Sequence, residues 1–349
     1  MRAAALPLLA LSLLACQDKS ASRPPEPSPK GAATTSTKAA TKKLRAALVL
    51  DIGGVDDKSF NESAYRGLKR AEKELGVEVQ YYQPSQPADR KTGLRQFAAK
   101  GYDVVIGVGF IFTDEIIEMA KDFPGVKFGC VDMVDKPAAE LPPNLVGLKF
   151  KEEQGSFLAG ALAAMVSKTK KVGFIGGMNV PLIHKFEAGY RAGATHVDPK
   201  IAVVVNYAGE TPKAFQDPET GKNRAVEQYK SGVDVIYHAS GKTGLGVFQA
   251  AKELGKLAIG VDSDQATEAP GFVLSSMVKG VDVVVFDTIK AIQGAQFKPG
   301  IQVYGLAEGG VSIVYDDVNK ALIGEENHQR LLSIQQDIIS GKIAVPSTR

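Results

Sequence analysis

From residue 44 onward the chain alternates short, nearly unbroken apolar runs with longer stretches of helical periodicity. Runs of strand length include 44–50, 126–131, 171–177 and 272–277, and helical patterns cover 152–166, 281–292 and 327–340. This alternation predicts a parallel sheet flanked by helices.

The pattern also repeats. Gly101-Tyr102-Asp103-Val104-Val105-Ile106 is echoed by Gly232-Val233-Asp234-Val235-Ile236-Tyr237. Lys127-Phe128-Gly129-Cys130-Val131-Asp132 is echoed by Lys256-Leu257-Ala258-Ile259-Gly260-Val261-Asp262, again about 130 residues on, and 44–51 has its partner near 171–177. Three echoes in register predict an α/β protein of two Rossmann-like lobes. The first crossing between them is expected near Phe150, before the helix 152–166. Strand 272–277 then leads to helix 281–292, which returns to lobe 1, and the segment with 312–315 and 327–340 closes lobe 2. The expected boundaries are 44–150 with 278–303 for lobe 1 and 151–277 with 304–349 for lobe 2. A hinge of several crossings resists twisting but permits closure, the mechanics of a clamshell receptor.

The N-terminus reads differently. After Met1-Arg2, the apolar run 3–15 is shorter than the roughly 20 residues that a bilayer span takes, so it reads as a signal peptide, residues 1–16. It ends in Leu13-Leu14-Ala15-Cys16, which looks like a bacterial lipobox whose cysteine is lipidated; the alternative is a chance cysteine after an ordinary secretory signal. Gln17, not aspartate, follows, and by resemblance to the usual sorting rule nothing there retains the protein at an inner membrane if the cell has two. Residues 17–43 are rich in Pro, Ser, Thr, Ala and Lys without apolar periodicity, and are expected to form a disordered tether.

Charge follows this division. The excess of basic charge lies in the first 43 residues, which hold seven Lys/Arg and two Asp/Glu; the rest has 35 basic and 37 acidic residues, and the whole chain a formal net charge of +3. A folded part with a net charge of −2 has no basic footprint for nucleic acid. Its single cysteine, Cys130, lies in a strand-like run and is expected to be buried and unpaired.

The densest chemistry is Asp51-Ile52-Gly53-Gly54-Val55-Asp56-Asp57-Lys58-Ser59-Phe60-Asn61, directly after the first strand. It offers an aromatic ring, an amide and several carboxylates at the carboxyl edge of a sheet, where open α/β folds bind small molecules. A loop with Ser59 as N-cap would explain the serine and glycines, but not Phe60 beside three aspartates. Catalytic signatures are missing: there is no Gly-x-Ser-x-Gly, His-Glu-x-x-His or Cys/His cluster of metal spacing, and the four histidines are scattered. Gly241-Lys242-Thr243 is no nucleotide-phosphate loop, because Ile236 stands where that motif needs glycine.

The aspartate-rich loop, Gly107-Val108-Gly109-Phe110, Gly176-Gly177-Met178 through Phe186-Glu187-Ala188-Gly189-Tyr190, Gly260-Val261-Asp262-Ser263-Asp264-Gln265, Ser275-Ser276-Met277-Val278-Lys279 and the run 339–346 together resemble the basic membrane protein family. These are bacterial lipoproteins of the PnrA-like purine nucleoside receptor kind, and the resemblance runs from about 45 to 346. It implies a periplasmic-binding-protein clamshell acting as the solute-binding component of an ABC importer. The implied partners are a purine nucleoside of the adenosine, guanosine or inosine class, a permease, and the membrane through a lipid on Cys16. It implies no cofactor, no metal and no enzymatic step.

A purine has two apolar faces and a polar edge, and ribose has vicinal hydroxyls. Phe60 and Phe186, one from each lobe, would sandwich the base, although either ring alone also suits a plain core position. Asn61 and Asp114 would read its edge, although Asp114 also suits plain capping at a helix start. Asp262 would accept from ribose hydroxyls, Lys279 would donate to ribose oxygens and pair with Asp262, and Gly241 would let backbone approach the sugar. Asp51 either joins them or orients the loop 53–58. Lys242 departs from the expected second glycine, and either reaches toward a phosphate or points to solvent; His184-Lys185 has no assigned role. The rival readings are a sensory receptor for another small molecule, a nucleoside hydrolase, and a surface adhesin. A monomer is expected, because a clamshell needs none of its surface for a second copy.

Overall fold

The structure, a computed structural model, describes residues 43–349. Cys16, the signal segment and all of the tether but residue 43 lie outside the described residues.

The first part of the chain runs β1 (Arg45–Val49), α1 (Phe60–Leu75), β2 (Glu78–Tyr82), α2 (Asp89–Ala99), β3 (Val104–Val108), α3 (Thr113–Asp122), β4 (Lys127–Val131) and β5 (Leu145–Phe150). The second part runs α4 (Glu152–Val166), β6 (Lys171–Met178), α5 (Pro181–Val197), β7 (Ala202–Gly209), α6 (Pro218–Lys230), β8 (Val235–Ala239), α7 (Gly244–Leu254), β9 (Leu257–Asp262) and β10 (Val273–Lys279). Then come α8 (Val281–Gln293), β11 (Gly300–Tyr304), β12 (Val311–Ile313), α9 (Lys320–Ile323) and α10 (Glu325–Ile339).

Two six-stranded sheets result, ordered β2-β1-β3-β4-β5-β11 and β7-β6-β8-β9-β10-β12. Every pairing in the first sheet is parallel; in the second, only β12 runs antiparallel, against β10. The central strands β3 and β8 are buried at every position, as strands covered on both faces must be, whereas the edge strand β2 is largely exposed. In each sheet the strand order reverses beside the first strand, which opens a crevice at the carboxyl ends. Register keeps those ends level: Val49 aligns with Gly107, Val108 with Val131, and Val131 with Leu148. In the second sheet Gly176 aligns with Ala239, and Val261 with Met277.

The chain passes between the sheets three times, after β5, after β10 and between β11 and β12. These passages are bonded to their surroundings and to each other. Lys151 N donates to Tyr304 O at 2.9 Å, Gly280 N to Gly310 O at 2.8 Å, and Gly310 N to Gly305 O at 2.8 Å. One apolar cluster, with Leu48, Ile106, Leu148, Phe157, Tyr237 and Leu274, extends through both lobes. Separate clusters fill the outer layers, around Leu94, Phe97 and Ile116 in lobe 1 and around Tyr229, Ile236 and Phe248 in lobe 2. Cys130 is buried in the former and unpaired. Burial pushes its thiol far above the ordinary range.

Candidate functional site

The loop after β1 shows how the site is assembled. Asp57, not Ser59, caps α1: its carboxylate accepts from the backbone N–H of Ser59 (2.9 Å), Asn61 (2.9 Å) and Glu62 (3.1 Å) and from Asn61 Nδ2 (2.9 Å). Ser59 is thereby freed, and its hydroxyl donates instead to Asp262 Oδ2 in the opposite lobe. Asn61 Oδ1 accepts from Asp51 N at 2.8 Å, which holds the strand end against the helix start. Gly109 (φ 122°) lies so close to Asp51 that a Cβ there would stand 2.7 Å from Asp51 Oδ2.

Asp132 (φ 61°), directly after β4, and Asp262 (φ 66°), the last residue of β9, are both held in the left-handed region. Asparagine and aspartate tolerate that conformation better than other side chains, so both carboxylates turn off the sheet edge into the crevice. Lys279, at the end of β10, is 1% exposed. Its Nζ donates to Asp132 Oδ2 at 2.6 Å, lies 3.3 Å from Glu152 Oε1, and stands 5.0 and 5.6 Å from the ring centroids of Phe60 and Phe186. Burial by itself would lower the pKa of this ammonium, but Asp132, Glu152 and Asp262 outweigh it and raise the value, so Lys279 is charged. Burial raises Asp262 to about 6, although Lys279 and Ser59 pull it down, and raises Asp51 to about 7. Asp132 is also raised by burial, against the pull of Lys279.

These groups surround a cleft of about 560 Å³ of space free of protein atoms, open mouth included. Of the residues singled out in the sequence, Asp51, Phe60, Asn61, Phe186, Gly241, Asp262 and Lys279 line it together. Asp114 is not among the lining residues. It sits in the first turn of α3 with its side chain 83% exposed, 2.7 Å from Lys136 Nζ. The lining also includes Asp57, Asp132, Phe110, Phe215, Leu182 and Ile183. Asp132 had a visible signal, since it closes the echo of the segment ending in Asp262. Phe215 had an indirect one: its ring lies against Gly177, where a Cβ would come within 2.1 Å of it, so the glycine pair ending β6 marked a close approach.

Three residues that the sequence left unsettled, Lys242, Lys185 and His184, have partners in the structure. Lys242 Nζ lies 3.1 Å from Asp56 Oδ2 and bridges the lobes at the cleft; that hydrogen bond holds Asp56 below the usual carboxylate range. Lys185 bonds Glu152 and donates to Phe150 O at 2.5 Å, while His184 Nε2 lies 2.8 Å from Asn179 Oδ1. Among the described residues no cluster of His, Cys, Asp and Glu has metal-holding geometry, and no helix is long and apolar enough to cross a membrane.

Two parallel α/β lobes, a threefold crossing and a cleft at the carboxyl ends of both sheets define a two-lobe solute-binding protein. A solved ABC transporter solute-binding protein from Aeropyrum pernix K1 shares this architecture with a TM-score of 0.80 and 26% identity, covering 88% of this chain and 94% of that one. The family model described as "ABC transporter substrate-binding protein PnrA-like" matches residues 44–349, and the chain belongs to that family. Among its relatives, the "ABC transporter nucleoside-binding protein BmpA" of Lactococcus lactis subsp. cremoris is 37% identical over 326 residues, 87% of this chain and 89% of that protein. An "Uncharacterized lipoprotein" of Pyrococcus abyssi is 35% identical over 287 residues, 79% of this chain and 70% of that protein. The family is one of substrate-binding proteins rather than enzymes.

Proposed function

We propose that this chain is the lipid-anchored receptor of an ABC importer, which closes on a purine nucleoside and delivers it to a permease. The observation that carries the reading is the make-up of the cleft. One phenylalanine ring comes from each lobe, Phe60 and Phe186, and carboxylates at strand ends surround them. Two rings suit the two faces of a purine, and such stacking contributes roughly 1–3 kcal/mol per base. Asn61 and Asp132 would read the polar edge. Asp132 suits this better than Asp114, because it lines the cleft and its buried Oδ1 has no hydrogen-bond partner among the described residues. Asp262, Lys279 and Gly241 would engage the ribose, and Asp51 would back the loop. The nucleoside-binding relative supports the ligand class, and the lipoprotein relative supports anchoring through Cys16 on the outer face of a membrane.

In this reading lobe 1 comprises 44–150 with 278–303, lobe 2 comprises 151–277 with 304–349, and the protein works as a monomer. The test is mass spectrometry of the purified protein for a co-purified purine nucleoside, followed by calorimetric titration with inosine, adenosine and guanosine. Phe60→Ala and Asp262→Ala should each weaken binding by about 5- to 150-fold, which corresponds to a loss of about 1–3 kcal/mol. Asp132→Asn should also weaken it, and Asp114→Ala should leave it unchanged. A protein that binds none of the three at millimolar concentration would overturn the ligand assignment and leave the fold standing.

A further inference from the structure

Two buried lobe 2 side chains, Gln265 and Ser263, reach the backbone just before α1 in lobe 1 without lining the cleft. Gln265 Nε2 donates to Lys58 O at 3.0 Å, and Ser263 Oγ donates to Ser59 O at 3.2 Å. Their acceptors are the successive carbonyls of the two residues that precede Phe60, the first residue of α1. Both donors are buried, and neither belongs to the cleft wall.

Each donor is oriented in advance. Gln265 Oε1 accepts from Val261 N at 2.8 Å and lies 3.1 Å from His238 Nε2, while Gln265 N donates to Ser276 Oγ at 3.0 Å. A backbone N–H can only donate, so the atom facing Val261 must be the carbonyl oxygen, and the amide NH₂ is left to face lobe 1. Burial lowers His238 to about 4, so its imidazole is neutral near pH 7 and its Nε2–H supports the same orientation. On the other side Lys58 adopts φ 58°, a conformation that costs a non-glycine residue free energy. Arg66, from α1, donates to Ser263 Oγ at 3.2 Å and steadies the second donor.

We propose that Gln265 and Ser263 form a closure clasp on the Lys58 and Ser59 carbonyls, which sets how long a ligand is retained rather than how fast it is captured. The clasp spans the lobes, so it exists only when they are together. A ligand enters before the clasp forms and leaves after it breaks. Gln265 and Ser263 are therefore positioning residues: they hold Phe60 and the Asp57–Asn61 cap against the second lobe without touching the ligand. This rests on the lobes closing over a ligand, not on the ligand's identity.

The test is stopped-flow binding with inosine as the probe, on Ser263→Ala and Gln265→Glu. Glutamate keeps the acceptor for Val261 N and His238 but removes the donor to Lys58 O. One intramolecular hydrogen bond corresponds to a factor of about five in an equilibrium. Release should therefore quicken roughly fivefold in Ser263→Ala and more in Gln265→Glu, with capture no slower than in the parent. Small-angle scattering without the probe should show a larger radius of gyration in both variants. Unchanged release in both, or capture slowed as much as release quickens, would overturn the clasp. If the parent protein binds no inosine, the nucleoside reading fails, and scattering alone decides: an expanded Gln265→Glu or Ser263→Ala supports the clasp and an unchanged radius rejects it.

Discussion

At the scale of single residues, Asp51 is the clearest lever. Burial raises its pKa from 3.8 to about 7, so the folded protein holds a proton that the unfolded chain gives up near pH 4. Stability from that proton is fully present below about pH 4 and is lost as pH rises through about 7. Asp51→Asn removes the charge while preserving an acceptor for Ile52 N. Its melting temperature should match the parent's below about pH 4 and exceed it at pH 8, by an amount reflecting a few kcal/mol at most. An equal difference at both pH values would show that the charge is not what matters. The place of Asp51 on the cleft wall was readable because it ends an apolar run just before two glycines. Asp114 shows where reading single residues stops. A carboxylate in the first turn of a helix looks alike whether it faces a cleft or solvent, and its direction depends on the short turn Phe110–Phe112 that precedes α3. No periodicity encodes that turn.

At the scale of elements, the packing of α4 on α5 sets the position of the lobe 2 ring. A Cβ on Gly193 would stand 1.9 Å from Phe157 O, and one on Gly189 would stand 2.1 Å from Glu153 O, so the two helices meet backbone to backbone. Helix α5 carries Leu182, Ile183 and Phe186 into the cleft, so the glycines fix how deep that ring sits. Gly193→Ala must force the helices apart, and an overpacked core costs about 1–3 kcal/mol or more. A drop of that size in denaturant-unfolding free energy is expected, whereas Gly125→Ala, which meets nothing within 4 Å, should be neutral. Equal effects at both positions would argue against the close helix contact. The elements themselves were legible. Strands buried on both faces must be apolar throughout, and the repeat near 130 residues exposed their pairing into two sheets. The antiparallel course of β12 was not, because three residues, Val311–Ile313, carry too little pattern to reveal direction.

At the scale of the molecule, the shared apolar cluster ties the lobes together. Leu48 and Ile106 of lobe 1 and Tyr237 and Leu274 of lobe 2 belong to one buried network. Calorimetry should accordingly show one unfolding transition whose calorimetric and van't Hoff enthalpies agree; two resolved peaks would mean that the lobes melt separately. The threefold crossing has a further consequence, for how the chain comes to be folded. The edge strand β11 of the first sheet begins at Gly300, and the edge strand β12 of the second at Val311. Neither lobe can be finished while the chain is being made until more than 300 residues have emerged. Both sheets wait on strands from the far end of the chain, and such long-range pairings form slowly. The nascent polypeptide thus stays unfinished through most of its synthesis, a delay that would suit the export on which the proposed lipid-anchored role depends.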